Sequence, residues 1–289
     1  MHWLPLTLLC AFSLATADAL TKRHFEGLSG RDMTLLRFGW AAVWLAPVLA
    51  VQPWPQPPAA FWGWVAALVP LEILAMALYM RAILVAPLAH TLPYLAFTPV
   101  FVTLVGDWLL GERIPPLGLL GVSLVTLGAY LLNLEHLRAT NGWAPLGPLR
   151  AILRERGPRL MLAVAALYGV TSVLGKGAVR LVPPLWFGAF YFVLLGVVVL
   201  VTLRPREGLH RLASCKPRAA AAVGLATAVM VLTHFLAVER VEVAYMIAVK
   251  RTSLLFGILY GWWWFGERHL ARHLLAGGVM VAGVAILAW

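Results

Sequence analysis

Lys250 and Arg251 are adjacent cations inside an otherwise apolar stretch, AVKRTSLLFGILYGWWWF (residues 248–265). An Arg side chain carries a planar fork of N–H donors that matches a carboxylate or a phosphate, and a Lys side chain adds a compact positive charge. Residues of these types, placed together, predict a binding site for an anion. The alternative interpretation is that each cation pairs with a carboxylate and only holds helices together.

Glu72 provides a carboxylate for either interpretation. It lies in the middle of the apolar stretch VPLEILAMAL (residues 69–78), and we interpret it as the one acidic residue deep inside such a stretch. An ionisable residue in that setting is a candidate functional group. Glu72 could pair with Lys250 or Arg251, or it could carry a proton. The two roles are compatible, because a bound anion can displace an ion pair.

Other polar residues in apolar stretches are further candidates. His90 and His234 could relay protons, although a single histidine among apolar residues is more often a packing residue. Further candidates for binding are Tyr168 and Ser253, and candidates for gating or coupling are Glu239, Glu242, Lys176, Pro93 and Pro99. We expect Lys176 to line the mouth of a cavity, and Pro93 and Pro99 to form a hinge. His269 and His273 have the spacing of metal ligands without an evident third ligand, so we expect no metal and no cofactor.

The stretches that carry these residues are typical of an all-α integral membrane protein. The chain has 289 residues, of which 62% are hydrophobic and 12% charged, whereas soluble domains are about 45–50% apolar and about 25% charged. Apolar segments of about 20 residues predict membrane helices. Ten segments are present, at residues 3–20, 33–51, 60–80, 87–110, 115–134, 159–179, 184–203, 218–238, 243–266 and 271–288. In the ninth, Ser253, Gly257 and Gly261 form a stripe of small residues that predicts a packing seam.

The positive charges lie in the loops, which argues against nucleic-acid binding despite the net charge of +11. Loops after the odd-numbered segments hold 16 Lys and Arg residues and the opposite loops hold four, so the first side is predicted to be cytoplasmic. Both termini would then face outward from a cytoplasmic (inner) membrane of bacterial type. Residues 15–17 resemble a signal-peptide cleavage site, but no Lys or Arg precedes the apolar core, and we interpret the first segment as a span.

The two halves of the chain repeat each other. A shift of 155 residues places Gly-Glu-Arg at 111–113 on Gly-Glu-Arg at 266–268, with Gly106 on Gly261 and Gly128 on Gly283. The repeat predicts two five-helix domains, at residues 1–134 and 159–289, joined by a linker at 135–158. Because five is odd, the two repeats would insert with opposite orientations. This is the inverted-repeat plan of secondary transporters, whose substrate site lies near the membrane midplane.

The repeated pattern resembles the EamA-type members of the drug/metabolite transporter superfamily. The likeness rests on PVFVTLVGDWLLGERIPPLGLLGVSLVTLGAYLL (99–132) and LLFGILYGWWWFGERHLARHLLAGGVMVAGVAIL (254–287), and it covers nearly the whole chain. It implies ten membrane helices and transport, but no particular substrate, since the superfamily carries amino acids, drugs, sugars, nucleotide sugars and phosphorylated metabolites. The second half departs from the pattern, with Leu254 and Glu242 where prolines are expected. Lys250 and Arg251 also resemble a phosphate-binding Lys-Arg pair in the distantly related plastid sugar-phosphate translocators.

These features predict a secondary transporter that moves a small organic anion or zwitterion by alternating access. The repeat partners of Lys250 and Arg251 are Leu95 and Ala96, so the fold does not require the charges, which favours a function. Proton coupling and exchange against a counter-substrate are both open, as is assembly into a homodimer. The expected partners are a small metabolite and membrane lipid.

Three alternatives remain at this stage. Within transport, the chain could be a broad exporter of amino acids or cationic drugs that uses Glu72. Outside transport, it could be a membrane-embedded enzyme acting on lipids or a scaffold. No nucleophile stands beside a base, and the pattern of a phosphate-binding P-loop is absent, so we expect neither an enzyme nor a chain that hydrolyses ATP.

Overall fold

The computed structural model describes residues 2–85, 92–141, 155–203, 216–265 and 274–289. All regular secondary structure in these ranges is helical, with one 3₁₀ helix at Leu92–Phe97. The α-helices are α1 (Trp3–Phe25), α2 (Gly30–Val51), α3 (Ala59–Val85), α4 (Thr98–Leu110), α5 (Pro116–Asn141), α6 (Arg156–Val179), α7 (Pro184–Thr202), α8 (Pro217–Val238), α9 (Val243–Lys250), α10 (Ser253–Phe265) and α11 (Leu274–Ala288).

Apolar helices occupy all ten predicted segments. Within the described residues, seven segments are long and apolar enough to cross a membrane: α1, α2, α6, α7, α8, residues Ala59–Tyr79 of α3, and Val243–Trp264, which joins α9 and α10. Three shorter apolar helices coincide with the fourth, fifth and tenth predicted segments. The all-helical membrane architecture is therefore confirmed, whereas the number of ten complete spans stays a prediction.

The ninth segment is interrupted. The sequence predicts one helix over residues 243–266, but α9 ends at Lys250 and α10 begins at Ser253, so the prediction of a continuous helix is wrong. The N–H groups of Arg251 and Thr252 donate to the carbonyl oxygens of Ala248 and Val249, each at 3.0 Å, and the Thr252 hydroxyl donates to Val249 at 2.8 Å. These short-range bonds occupy carbonyls that an ongoing helix would bond one residue later.

The fourth segment changes from a 3₁₀ helix to an α-helix at the corresponding position of the repeat. Its 3₁₀ helix ends at Phe97, and α4 begins at Thr98 with Pro99 in the first turn. Proline lacks an N–H, but the N–H groups of the first turn have no partner within the helix, so no hydrogen bond is lost there. Pro99 therefore starts a helix instead of bending one. Thr98 and Ser253 are 155 residues apart, so the second half of each broken segment begins at the same position of the repeat.

The helices form two compact units, and each takes segments from both halves of the sequence. The first unit contains Met1–Phe61, Ala178–Arg240 and Ser253–Glu267, and the second contains Trp62–Gly177, Val241–Thr252 and Arg268–Trp289. In the first unit, α1 packs against α8 and α10, and α2 packs against α7 and α8. Gly224 permits the contact of α8 with α2, because a Cβ atom there would lie 2.5 Å from Cβ of Trp40.

In the second unit, α5 and α11 pack together through small residues. A Cβ atom added at Gly128 would lie 2.7 Å from the carbonyl oxygen of Ala276 and 2.4 Å from Cγ of Met280. One added at Gly283 would lie 2.8 Å from the carbonyl oxygen of Gly121. Residue 121 thus meets 283 and residue 128 meets 276, so the two helices run antiparallel.

The stripe of small residues on the ninth segment does not form a seam at its centre. A Cβ atom added at Gly257 would meet no described atom within 4 Å, and Gly257 itself is exposed. The prediction of a packing seam at this position is therefore wrong.

Candidate functional site

The carboxyl-terminal end of α9 carries the two predicted cations. Lys250 is the last residue of the helix and Arg251 is its C-cap, and Lys250 lies about 10 Å along the axis from Val243. Positive charge is favourable at this end of a helix, because the helix dipole is negative there. Both side chains are half-buried. A charge that faces lipid is costly, so we expect the exposed parts of these side chains to face a cavity and not the lipid.

Glu72 belongs to the same cluster. Its carboxyl group, on α3, accepts a hydrogen bond from the Thr171 hydroxyl on α6 and interacts electrostatically with Lys250. Tyr168, one turn before Thr171, interacts electrostatically with Arg251. All five residues belong to the second unit. The structure therefore brings together four predicted site residues and adds Thr171, whose only mark in the sequence is a hydroxyl within an apolar segment.

Arg251 has a donor available. Its Nε atom is shielded from solvent and has no hydrogen-bond partner among the residues that the structure describes. A buried donor without a partner costs about 1–3 kcal/mol, more when it is charged. A guanidinium group in this state is suited to bind the oxygens of a carboxylate or a phosphate, which accept from such a fork at two points.

Lys176 lies in a buried ion pair. It is 4% exposed, and its Nζ atom lies 2.5 Å from Oε1 of Glu112 and 2.6 Å from the carbonyl oxygen of Val241. The prediction that Lys176 lines the mouth of a cavity is therefore wrong, and its role in gating or coupling stays a prediction. Glu112 appears in the sequence only as part of the repeated Gly-Glu-Arg pattern, and nothing there marks it as the partner of Lys176.

A second acidic residue lies inside an apolar helix. Asp18 of α1 forms an ion pair with Arg37 of α2, with Oδ1 of the carboxylate and Nη1 of the guanidinium group 2.5 Å apart. Asp18 lies two residues before the end of the first predicted segment, so the interpretation of Glu72 as the one acidic residue deep inside an apolar stretch stays a prediction. The Asp18 side chain is 57% exposed, and exposed pairs contribute only about 0–1 kcal/mol to stability.

The other predicted residues lie elsewhere. His234 and Ser253 belong to the first unit, where the ring of His234 packs edge-on against Phe235 at 4.9 Å. Glu239 is the exposed C-cap of α8, and Glu242 is the half-buried N-cap of α9. Pro93 lies in the 3₁₀ helix. His90 lies outside the described residues. The proposed roles of all six stay predictions.

The repeated pattern and the helical fold agree with a comparison to protein families. The family model described as "EamA-like transporter family" matches residues 1–134 and 156–289. The chain belongs to the EamA-like transporter family. The resemblance to the drug/metabolite transporter superfamily is thereby confirmed. The chain is accordingly a multi-pass membrane protein and a membrane transporter of the drug/metabolite type.

Solved structures share the fold of this EamA-like transporter. One, titled only "Crystal structure of protein", aligns over 99% of this chain and 98% of its own, with a TM-score of 0.78 and 18% sequence identity. At that identity the likeness concerns the fold alone. A comparison with curated protein sequences finds no match.

Proposed function

We propose that this EamA-like transporter is a secondary transporter that moves a small organic anion or zwitterion, bearing a carboxylate or a phosphate, across a cytoplasmic membrane by alternating access. The observation that carries the proposal is the Nε atom of Arg251, buried without a hydrogen-bond partner among the described residues at a break between two short helices. Secondary transporters bind substrates and ions at such breaks, near the midplane of the membrane.

The charges of the cluster support an anion as the substrate. Glu72 interacts with Lys250, so these two charges compensate each other in part. Arg251 adds a further positive charge, and the side chain that interacts with it electrostatically is the phenol of Tyr168. The cluster of one acidic and two basic side chains therefore attracts a negatively charged group.

Ten helices in two inverted repeats are part of the proposal. The contacts of α5 with α11 support it, because Gly121 and Ala276 are 155 residues apart, as are Gly128 and Gly283. Replacing each residue by its repeat partner in the other half therefore converts the contact of residue 121 with 283 into the contact of residue 276 with 128. Equivalent helices that run antiparallel are what opposite insertion requires. The breaks at equivalent positions of the fourth and ninth segments are further support.

The second candidate is an exporter of amino acids or cationic drugs that uses Glu72 as the substrate carboxylate. It is favoured by the half-buried position of Glu72 on the same cluster, where a carboxylate could accept from a substrate ammonium group. The two candidates predict opposite results when the Glu72 carboxylate is lost.

A thermal-shift screen of the purified transporter against metabolite anions, inorganic phosphate included, tests the anion site. A ligand at about 100 times its Kd stabilises the folded protein by about 2.7 kcal/mol. We expect at least one anion to stabilise the wild type and to lose this effect in Arg251→Ala and Lys250→Ala. Arg37→Ala, which removes a cation already paired with Asp18, is the matched control and should keep the response. Stabilisation by no anion, or equal stabilisation of the site variants, would contradict the proposal.

A further inference from the structure

We infer that Glu112 and Lys176 are positioning residues for the anion site, because they clamp the amino-terminal end of α9, the helix that carries Lys250 and Arg251. The inference rests on the proposed function. We call Glu112, Lys176 and the backbone groups of Val241 and Val243 the α9 clamp.

Each charge of the α9 clamp bonds a different backbone group at the start of the helix. Lys176 donates to the carbonyl oxygen of Val241 at 2.6 Å, and Oε2 of Glu112 accepts from the N–H of Val243 at 2.8 Å. The two side chains also bond each other at 2.5 Å. The two side chains cannot be interchanged, since only a donor can bond the carbonyl of Val241 and only an acceptor can bond the N–H of Val243.

These contacts supply a hydrogen-bond partner that the first turn of the helix lacks. α9 has eight residues, and its N-cap, Glu242, makes no side-chain capping bond. The first N–H groups of a helix have no partner within it, and the carboxylate of Glu112 takes that place for Val243. A negative charge at this end also interacts favourably with the helix dipole.

The position of Glu112 is itself well defined. Gly111 ends α4 in the left-handed conformation, with φ of 67°. The N–H of Glu112 donates to the carbonyl oxygen of Gly106 at 3.1 Å, which completes the end of the helix. The side chains of Glu112 and Lys176 are 7% and 5% exposed, so water does not compete for their contacts.

Two helices lead from the α9 clamp to the anion site over similar distances. On α6, Thr171 and Tyr168 lie about 7 Å and about 12 Å from Lys176 along the axis. On α9, Lys250 lies about 10 Å from Val243. Because the α9 clamp connects α6 and α9 at one end, it sets the position of Lys250 and Arg251 along the axis of α6, opposite Thr171 and Tyr168. Loss of the clamp should weaken anion binding although neither residue touches the anion.

Three paired variants test the inference. Glu112→Gln with Lys176→Met removes both charges together, which proteins tolerate better than the loss of one partner. Glu112→Lys with Lys176→Glu restores an ion pair but reverses donor and acceptor. Asp18→Asn with Arg37→Met removes the ion pair of α1 and α2 as a matched control. Two quantities are measured, namely hydrogen exchange of the α9 amides and the dissociation constant for inorganic phosphate.

We expect faster exchange in α9 and phosphate affinity lower by about two- to thirtyfold in the neutral pair, a range produced by residues without ligand contact. The swapped pair should rescue neither quantity, whereas a purely electrostatic role would allow rescue. The control should match wild type in both. If the swapped pair does not fold, Glu112→Asp replaces it, because the shorter side chain keeps the charge but cannot reach both partners.

The outcomes separate the two proposals. Unchanged α9 exchange in the neutral pair, rescue by the swap, or Arg251-dependent phosphate binding that is undiminished in the neutral pair would each overturn the clamp. Wild-type protein that binds no phosphate or other anion would overturn the proposed function, and hydrogen exchange alone would then decide whether Glu112 and Lys176 hold α9.

Discussion

The charge balance at the end of α9 determines which ligand the proposed site attracts. Glu72 interacts with Lys250 and with Thr171, while Arg251 keeps a donor without a described partner. If the ligand is an anion, Glu72 repels it and competes for Lys250. If the ligand is a cation, Glu72 is its main attraction. The role of this one carboxylate therefore distinguishes the candidate functions.

We predict that Glu72→Gln binds phosphate more tightly than wild type. Two unit charges about 8 Å apart interact by about 2 kcal/mol at an effective dielectric constant of about 20, so removing a neighbouring carboxylate should improve anion binding by an energy of this order. Isothermal titration of the purified variant measures the change. Glu26→Gln, at the exposed C-cap of α1, is the control and should bind as wild type does. Phosphate binding that is unchanged or weaker in Glu72→Gln would contradict the prediction. Amine binding that the wild type shows and Glu72→Gln loses would favour the exporter of cations.

Among the helices, α5 and α11 make the close contacts that support the proposed inverted repeat. The carbonyls of Gly121 and Ala276 each face a glycine of the other helix, so the close approach of two helices depends on missing side chains. A glycine in this contact has no room for a methyl group. An exposed glycine that faces open space does have room.

We predict that Gly128→Ala destabilises the protein by about 1–3 kcal/mol, because the added methyl group overpacks the seam. The same substitution at Gly257, where the added Cβ meets no described atom within 4 Å, should leave stability equal or slightly higher. Thermal unfolding of both variants in the same detergent measures the difference. Equal melting temperatures for the two variants would argue against the α5–α11 seam.

For the whole molecule, the proposed inverted repeat and the distribution of Lys and Arg together predict the orientation of the chain in the membrane. Loops with 16 cations and loops with four alternate along the chain, and cation-rich loops remain in the cytoplasm. An even number of spans, such as the proposed ten, returns the chain to the side where it began, so both termini are predicted to share a side. The prediction holds for either candidate substrate.

We predict that a reporter fused at Gly142, in the linker between the repeats and outside the described residues, reports the cytoplasm. A reporter fused after Trp289 should report the opposite side. Paired alkaline phosphatase and fluorescent-protein fusions distinguish the two sides, because each is active on one of them. A cytoplasmic carboxyl terminus would contradict the predicted topology.

The sequence by itself determined that the protein is helical and spans a membrane, because each span needs about 20 apolar residues whatever its neighbours are. The repeated pattern, through its resemblance to the EamA-type family, implied a transporter. The same rule makes Lys250, Arg251 and Glu72 visible, since charges are rare in apolar segments. Only the tertiary structure decided which charges meet: Glu72 with Lys250, Lys176 with Glu112, and Arg37 with Asp18. It also decided that the ninth segment breaks at Arg251 and Thr252. Ion pairs and helix ends depend on distances between residues far apart in the chain, and a local pattern of hydrophobicity contains no information about those distances.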